Sequence, residues 1–170
     1  MSAGERGKEP ARGGADALVD AAEYPLYVVT AGVGDELSGC LAGFVTQSSI
    51  KPVRFLVCVS KVNHTFRIAE RCKGLALHLL GSDQIDLAAL FGETTGDTLA
   101  KFEHVNWSKG VTGAPLLNDC AAWVEGPILN RMSAGDHEAF LISGEGGASG
   151  RHQGRLMLSD ADGLEPGHPA

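Results

Sequence analysis

Residues 53–60, VRFLVCVS, form the segment that most restricts the fold of this chain. They are almost entirely apolar and rich in β-branched side chains, a composition typical of a short strand. A strand without polar alternation is typical of a sheet that is covered on both faces. We therefore predict a strand over these residues that is buried on both sides.

The chain before this segment predicts a β-hairpin. Residues 24–32, YPLYVVTAG, are aromatic and β-branched and run into the turn sequence VGDELSG, and the partner strand begins near Ser38 and continues through CLAGFV. Pro52 lacks a backbone donor and confines SSIKP to a loop or a sheet edge. Gly32 and Gly34 form a GxG, but charged turn residues follow them instead of a helix. We interpret them as hairpin glycines and not as a dinucleotide motif.

The middle of the chain predicts two short helices. In KVNHTFRIAERCKG the apolar period changes to that of one helical face and Gly74 is placed to end the helix, so we expect a helix over 65–72. GLALHLLG predicts a further strand, and SDQIDLAALFG predicts a second helix with Ser82 as its N-cap and Gly92 at its end. Residues 93–117 have weak apolar periodicity, so we predict a long surface loop there, which we call the excursion.

The C-terminal third predicts a second hairpin and sets the fold class. DCAAWVEGPILNRM and HEAFLISGEGG are extended segments joined by the turn sequence SAGD, and RLMLSD predicts a last strand. About six strands with two short helices and hairpin connections indicate a mainly β, antiparallel barrel with short helical insertions, not βαβ units. We expect one domain over 21–160, a disordered leader without a signal peptide over 1–20, and an irregular tail over 161–170.

Charge and cysteine content exclude several classes of function. The 21 acidic and 14 basic residues give a net charge of -7, which disfavours nucleic-acid and membrane-surface partners. No run approaches the roughly 20 apolar residues of a membrane span, so we expect a soluble, cytoplasmic protein that acts on small molecules or protein partners. The four cysteines are widely spaced; they are Cys40, Cys58, Cys72 and Cys120. Even with His64 and His78 nearby, they match no compact metal-binding loop. We therefore expect buried free thiols and no metal site.

The segment GFVTQSS is the first of three polar clusters with candidate chemistry. Three hydroxyls and an amide offer neutral donors and acceptors that suit the edge of a heteroaromatic ring or a phosphate; they belong to Thr46, Gln47, Ser48 and Ser49. Gly43 lets a flat ring approach the backbone closely. An ordinary polar strand end that caps the adjacent turn explains the segment equally well.

The second and third clusters are SKVNHT and AGDHE. SKVNHT precedes the first predicted helix, so its backbone amides and the Lys61 ammonium could converge on one anion; the alternative is a solvated loop in which Asn63 or Thr65 caps the helix. AGDHE places His137 at the start of a strand after a turn, where an imidazole can bind a substrate or move a proton if the turn faces a cofactor. An exposed turn histidine is more often inert. Since the sequence has no GxSxG, HExxH or P-loop motif, the difficult chemistry of an enzyme here would come from a cofactor.

The order and spacing of these clusters resemble the flavin reductase-like family of FMN-binding split barrels. The resemblance covers residues 24–147, and its landmarks are YPLYVVTA, LAGFVTQSSIKP, VRFLVCVSKVNHTF, LALHLLGSDQIDLAALFG, KFEHVNW and the late GDH. It implies an antiparallel split β-barrel that forms a homodimer and binds FMN in a groove near the subunit interface.

The resemblance also implies a role for each matching residue. His137 matches a histidine near the flavin face that helps to orient nicotinamide, and Lys101 and Phe102 belong to a loop that in such proteins closes over the flavin. The phosphate would lie by Ser60, Lys61, Asn63, His64 and Thr65. The isoalloxazine and ribityl chain would lie along Gly43, Phe44, Val45, Thr46, Gln47 and Ser48. This chain departs from the family pattern at two places: it carries Gly43 where Ser is frequent, and Pro52-Val53 where a double proline is frequent.

The sequence thus predicts an NAD(P)H-dependent FMN reductase with His137 as its candidate catalytic residue. FMN would accept a hydride, and the reduced flavin would be released, for example to a partner monooxygenase, or would pass electrons onward. Two alternatives stay open: a non-enzymatic FMN-binding electron carrier, and a split barrel that binds another ligand. Nothing in the sequence distinguishes NADH from NADPH as the donor.

Overall fold

A computed structural model describes residues 14–94 and 100–167 of the chain. The strands are β1 Tyr27–Val33, β2 Glu36–Ala42, β3 Val45–Ser49, β4 Arg54–Ser60, β5 Gly74–Leu79, β6 Trp107–Lys109, β7 Pro115–Leu117, β8 Ala122–Ala134, β9 His137–Ser143 and β10 Gly146–Ser149. The helices are α1 Asp16–Ala21, α2 His64–Ala69 and α3 Ile85–Gly92, with 3-10 turns at Lys101–Glu103 and Leu158–Ala161. The longest helix of the described residues, α3, has 8 residues, so none of the described helices could span a bilayer.

One antiparallel sheet of eight strands organises the described part of the chain. Its strand order is β2-β1-β5-β8-β9-β4-β3, and β10 pairs with β8. The 13-residue β8 pairs with β5 through its first half and with β9 through its second half, so it joins the two parts of the sheet. The sheet curls into a half-barrel, and the predicted mainly β, antiparallel fold with short helices is confirmed.

Two apolar clusters stabilise this arrangement. The main core lies inside the curl and includes Val57, Val59 and Phe140, all almost fully buried. The second cluster lies between the sheet and α3 and is centred on Phe91, with Leu117 beside it. Burial of such side chains is the dominant favourable term in folding, at roughly 25 cal/mol per Å² of apolar surface. The clusters fix the strands that carry the candidate site.

The prediction that residues 53–60 are buried on both faces is wrong. Val57 and Val59 face the core, whereas Leu56 and Cys58 on the opposite face of β4 are only half-buried. The apolar side chains of the second face lie on the outside of the curl. Cys40, Cys72 and Cys120 are buried as expected, so Cys58 is the cysteine for which the expectation of burial is wrong.

Two local predictions near the helices and the C-terminus are also wrong. The N-cap residue of α3 is Gln84, and the Ser82 hydroxyl instead donates to the Gln153 carbonyl at 3.2 Å. RLMLSD forms no strand, because only Met157 makes an isolated bridge, to Pro25, before the 3-10 turn begins. The segment pairs with the chain before β1 at one residue only, which is too short to form a further strand of the sheet.

The terminal and loop predictions fall partly outside the described ranges. Residues 1–13 of the predicted leader, 95–99 of the predicted excursion and 168–170 of the predicted tail lie outside them. Within the described part, α1 forms in the predicted leader, although none of its residues is buried. The excursion contains the hairpin β6-β7, and its Trp107 packs against the second cluster, so it is less irregular than predicted.

His152 connects three separate segments of the surface. Its Nδ1 lies 2.8 Å from Asp83 Oδ1 and its Nε2 lies 2.8 Å from Asp119 Oδ1. The hydrogen bonds to these carboxylates raise the pKa of His152 above its ordinary value, and the bond to His152 lowers the pKa of Asp83. Protonated His152 donates from both ring nitrogens, so it joins the loop before α3 to the loops on either side of the β8-β10 pair.

We expect His152→Gln to lower the melting temperature at about pH 5.5 and to have a smaller effect at about pH 9. A raised folded-state pKa stabilises the fold fully below the ordinary value of 6.5, and this contribution is lost as pH rises through the folded-state pKa. Thermal unfolding of the variant and the wild type across this range measures the difference. An equal difference at every pH would show that protonation of His152 does not stabilise the fold.

Candidate functional site

A cleft of about 250 Å³ opens beside the end of β4, where the three polar clusters meet. We call it the aromatic cleft. Residues that line it include Tyr24, Gly43, Phe44, Cys58, Ser60, Asn63 and His137. Five of these seven, all but Tyr24 and Cys58, are among the residues that the sequence predicts for a flavin site.

Strand pairing explains how residues so far apart in sequence line one cleft. In the antiparallel pair β4-β9, Ser60 stands directly opposite His137. The Cys58 amide donates to the Phe44 carbonyl at 2.9 Å, which places the start of β3 beside the same end of β4. Side chains of opposed residues share a face of the sheet. The register therefore sets the aromatic and polar side chains around a single opening.

The rings of the cleft stand close to one another. The Phe44 and His137 ring centroids are 5.3 Å apart in an edge-to-face arrangement, and the Tyr24 and Phe44 centroids are 5.9 Å apart with tilted planes. Such spacings lie within the range at which aromatic rings attract one another. A row of rings beside a small cleft suits a flat heteroaromatic ligand.

Asp136 orients the His137 imidazole. Asp136 Oδ1 lies 2.7 Å from His137 Nδ1, and this hydrogen bond lowers the pKa of Asp136. With Nδ1 engaged by the carboxylate, Nε2 is the ring nitrogen that can bond to a ligand. The candidate catalytic histidine is thus held in one orientation by its neighbour in the turn.

Lys61 holds the turn that carries this pair. Its ammonium donates to Ser133 Oγ at 2.6 Å and to the Gly135 carbonyl at 2.7 Å, and its amide donates to the Asp136 carbonyl at 3.0 Å. These bonds attach the β8-β9 turn to the end of β4. A role for Lys61 at a phosphate stays a prediction, because its ammonium also has these protein partners.

Asn63 is the N-cap of α2, as one of the two interpretations of SKVNHT predicts. Its side-chain oxygen accepts from the Thr65 amide at 2.9 Å. The Thr65 hydroxyl is buried 2.9 Å from Ser38 Oγ, which also lies 3.0 Å from His64 Nδ1. Thr65 and His64 are therefore held against β2, and their contact with a phosphate stays a prediction.

The rest of the GFVTQSS segment lies on an edge strand. Thr46, Gln47 and Ser48 are exposed on β3, and Val45 packs against the main core. Only Gly43 and Phe44 of the predicted ring-binding residues line the aromatic cleft. Contact of Val45, Thr46, Gln47 and Ser48 with a flavin stays a prediction.

A second, larger cavity contains three more of the predicted residues. Its volume is about 530 Å³, and His64, Lys101 and Phe102 line it. Lys101 is 4% exposed, and its ammonium donates to the Gly39 and Phe91 carbonyls at 3.2 Å each. Burial lowers the pKa of Lys101. Its bonds fix the 3-10 turn to β2 and α3, and closure of this loop over a flavin stays a prediction.

The sequence prediction missed Tyr24 and Cys58 as cleft residues. The apolar run predicts that Cys58 is buried, although its spacing of two from Ser60 places both residues on one face of β4. The sequence predicts that Tyr24 belongs to the first strand, but β1 begins at Tyr27 and Tyr24 precedes it. A two-residue period from the polar Ser60 was the signal that could have identified Cys58.

Residues 20–163 match the family model described as a flavin reductase like domain. The chain belongs to the flavin reductase-like family. This flavin reductase-like chain is 28% identical over 120 residues to ferric-chelate reductase (NAD(P)H) of Archaeoglobus fulgidus, with 69% of this chain and 71% of that protein covered. Across three curated relatives the chain spans 23%, 52% and 71% of the relative's own length, so two of them are longer than this chain.

Two solved structures share the fold of this chain. The NADH:FAD oxidoreductase of Streptomyces globisporus C-1027 superposes with a TM-score of 0.72 at 27% identity, covering 78% of this chain and 79% of that one. The flavin reductase domain protein of Arthrobacter sp. FB24 superposes with a TM-score of 0.76 at 22% identity, covering 85% and 89%. The half-barrel of this chain is therefore the family fold.

Proposed function

We propose that this protein binds the ring system of a flavin in the aromatic cleft and reduces the flavin with NADH or NADPH. The observation that carries the proposal is the meeting of Gly43, Phe44 and His137 at one cleft that is walled by aromatic rings. The cleft is small enough to hold a flat ring closely. Ser60 and Asn63 line it as well and would hold the polar chain of the flavin.

FMN is the flavin that we propose, with NADH or NADPH as donor. The sequence resemblance favours FMN, whereas the Streptomyces relative is named for FAD and NADH. The Archaeoglobus relative is named for NAD(P)H. The cleft residues would contact the ring and the polar chain that FMN and FAD share, so the choice between the two flavins depends on residues outside the cleft.

His137 has the central role in this proposal. A bound flavin supplies the ring that accepts a hydride from the nicotinamide. The Asp136 carboxylate holds the His137 imidazole so that Nε2 can bond to the nicotinamide and align it. Phe44 packs against the imidazole and restricts its movement. Reduced flavin would then be released in the cytoplasm, where we propose that a partner monooxygenase uses it.

An absorbance experiment tests the proposal directly. FMN, and separately FAD, is added to the purified protein, followed anaerobically by NADH and then NADPH. A perturbed flavin spectrum that is bleached by one of the donors supports the proposal. Binding without bleaching by either donor would favour the electron carrier instead, and absence of binding would favour a split barrel with another ligand.

His137→Ala is expected to slow flavin reduction about 100-fold, the order of the loss when reacting groups are misplaced by about 1 Å. The affinity for FMN should stay within about twofold, because His137 is one of several residues that line the cleft. Single-turnover bleaching measures the rate, and fluorescence titration measures the affinity. His104→Ala, at an exposed histidine that does not line the cleft, is the matched control. A variant that reduces flavin at the wild-type rate would remove His137 from the mechanism.

We also propose that the protein is a homodimer. Leu56 and Leu141 are opposed, half-buried residues on the outer face of the sheet, and Met132 on the same face is 61% exposed. Cys58 and His137 share this face, so a second copy seated there would also cover the aromatic cleft. Sedimentation equilibrium should give twice the chain mass of 17.7 kDa. A mass of one chain at micromolar concentration would contradict the dimer.

A further inference from the structure

Tyr24 occupies a place in the aromatic cleft that only glycine at position 43 permits. A Cβ atom on residue 43 would lie 2.2 Å from Tyr24 Cε2 and 2.9 Å from Cδ2. Carbon atoms in contact are ordinarily about 3.5 to 4.0 Å apart. The side chain that Gly43 lacks is therefore replaced in space by the Tyr24 ring.

Backbone bonds hold Tyr24 in this position. The Tyr24 carbonyl accepts from the Leu158 amide at 2.9 Å, and the Leu26 amide donates to the Leu156 carbonyl at 2.8 Å. Between them, Pro25 bridges to Met157. The chain on both sides of Tyr24 is thus attached to the C-terminal segment. A side chain at position 43 would have to rotate the Tyr24 ring out of the cleft wall, since the backbone beneath the ring is fixed.

The ring of Tyr24 extends the row formed by Phe44 and His137. Phe44 is in contact range of both rings, yet it is 51% exposed. A large aromatic side chain that is half exposed beside a cleft has apolar surface for a ligand to cover. Tyr24 contacts Phe44, which in turn contacts the histidine that the proposed function assigns to nicotinamide.

We infer that Tyr24 and Phe44 form the wall against which the flavin ring packs, and that Gly43 contributes by admitting the Tyr24 ring. This inference rests on the proposed function, because it requires the flavin ring to occupy the aromatic cleft. It assigns a flavin contact to Tyr24 and replaces the expectation that Gly43 serves by letting the ligand approach the backbone. The contact is with the ring alone, so it contributes equally to the affinity for FMN and for lumiflavin, which lacks the ribityl phosphate.

The test is a set of flavin titrations with four variants. Tyr24→Ala should weaken binding of FMN and of lumiflavin by the same factor of about 5 to 100, the range for loss of one aromatic stacking partner. Tyr24→Phe keeps the ring and should bind within about twofold of the wild type. Gly43→Ala should weaken binding to a similar extent because it displaces Tyr24. The double variant Gly43→Ala/Tyr24→Ala should bind no more weakly than Tyr24→Ala, since the displaced ring is already absent.

The outcomes separate this inference from the proposed function. Wild-type binding of FMN together with unchanged binding by Tyr24→Ala would overturn the inference and leave the proposed function standing. An additive loss in the double variant would overturn it as well, because Gly43 would then act independently of Tyr24. No binding of FMN, FAD or lumiflavin by the wild type would overturn both. If Tyr24→Ala does not fold, Tyr24→Leu tests the loss of the ring at similar volume, and wild-type affinity in that variant contradicts the inference.

Discussion

Gly126→Ala is expected to destabilise the fold by more than about 4 kcal/mol, a size reached only by disruptive core changes. A Cβ atom at residue 126 would lie 1.6 Å from the Ser143 carbonyl oxygen and 2.6 Å from its carbonyl carbon. The obstacle is backbone and not the end of a flexible side chain, so the alanine is accommodated only if β8 and β9 separate. The variant should therefore unfold at a much lower urea concentration than the wild type.

The effect is large because of where Gly126 lies. It is opposite Leu75 in the β5-β8 pair, and two residues later Ile128 begins the pairing of β8 with β9. The strand therefore changes partner here, and the end of β9 crosses close over its backbone. Glycine in a strand often marks such a close approach.

A urea titration monitored by circular dichroism measures the change in Gly126→Ala. Gly163→Ala is the matched control, because nothing lies within 4 Å of a Cβ atom at that position, and its midpoint should equal that of the wild type. If Gly126→Ala had the wild-type midpoint, the close crossing of β8 and β9 would be wrong.

Local sequence signals predicted the strands but not this crossing. The apolar run at 53–60 and the turn SAGD identified β4 and the β8-β9 hairpin, because both depend on neighbouring residues. The importance of Gly126 comes from Ser143, which is distant in sequence and approaches only after the sheet has curled. No local sequence pattern predicts the contact between Gly126 and Ser143.

The same distinction holds for the candidate site. The histidine of the GDH motif and the residues at Gly43 and Phe44 were predicted, and the structure brings them together at the aromatic cleft. Tyr24 was missed because its position depends on bridging to the C-terminal segment near Met157. The burial of Lys101 was missed because its two carbonyl partners come from separate elements. A contact among three separate segments leaves no periodic pattern in the sequence, so periodicity does not predict it.

His78 also has a role that its sequence context does not reveal. Its fully buried imidazole lies 3.0 Å from the Val28 carbonyl through Nδ1 and accepts from the Leu117 amide at 3.0 Å through Nε2. One donor and one acceptor require the neutral ring with its proton on Nδ1. Burial lowers the pKa of His78 to about 4. The histidine thus links β1, β5 and β7, and it makes both hydrogen bonds only when its imidazole is neutral.

His78→Ala is expected to cost about 3 to 5 kcal/mol near pH 7, because it leaves two buried backbone groups unpaired and opens a cavity. The loss of unfolding free energy caused by His78→Ala should be smaller at acidic pH. A lowered folded-state pKa contributes stability above the ordinary value of 6.5, and this contribution falls by about 3 kcal/mol as pH drops from there to about 4. Urea unfolding of both proteins across this range measures the difference, and a constant difference would contradict a neutral His78.

His152 provides the internal control for this experiment, because its linkage has the opposite sign. Its raised pKa keeps its contribution complete below pH 6.5 and removes it only at higher pH, so it adds no slope in the window where His78 titrates. His78→Ala should therefore flatten the acid limb of the stability profile, and His152→Gln should flatten the alkaline limb. Because the two residues act in separate pH windows, their effects in the double variant should add.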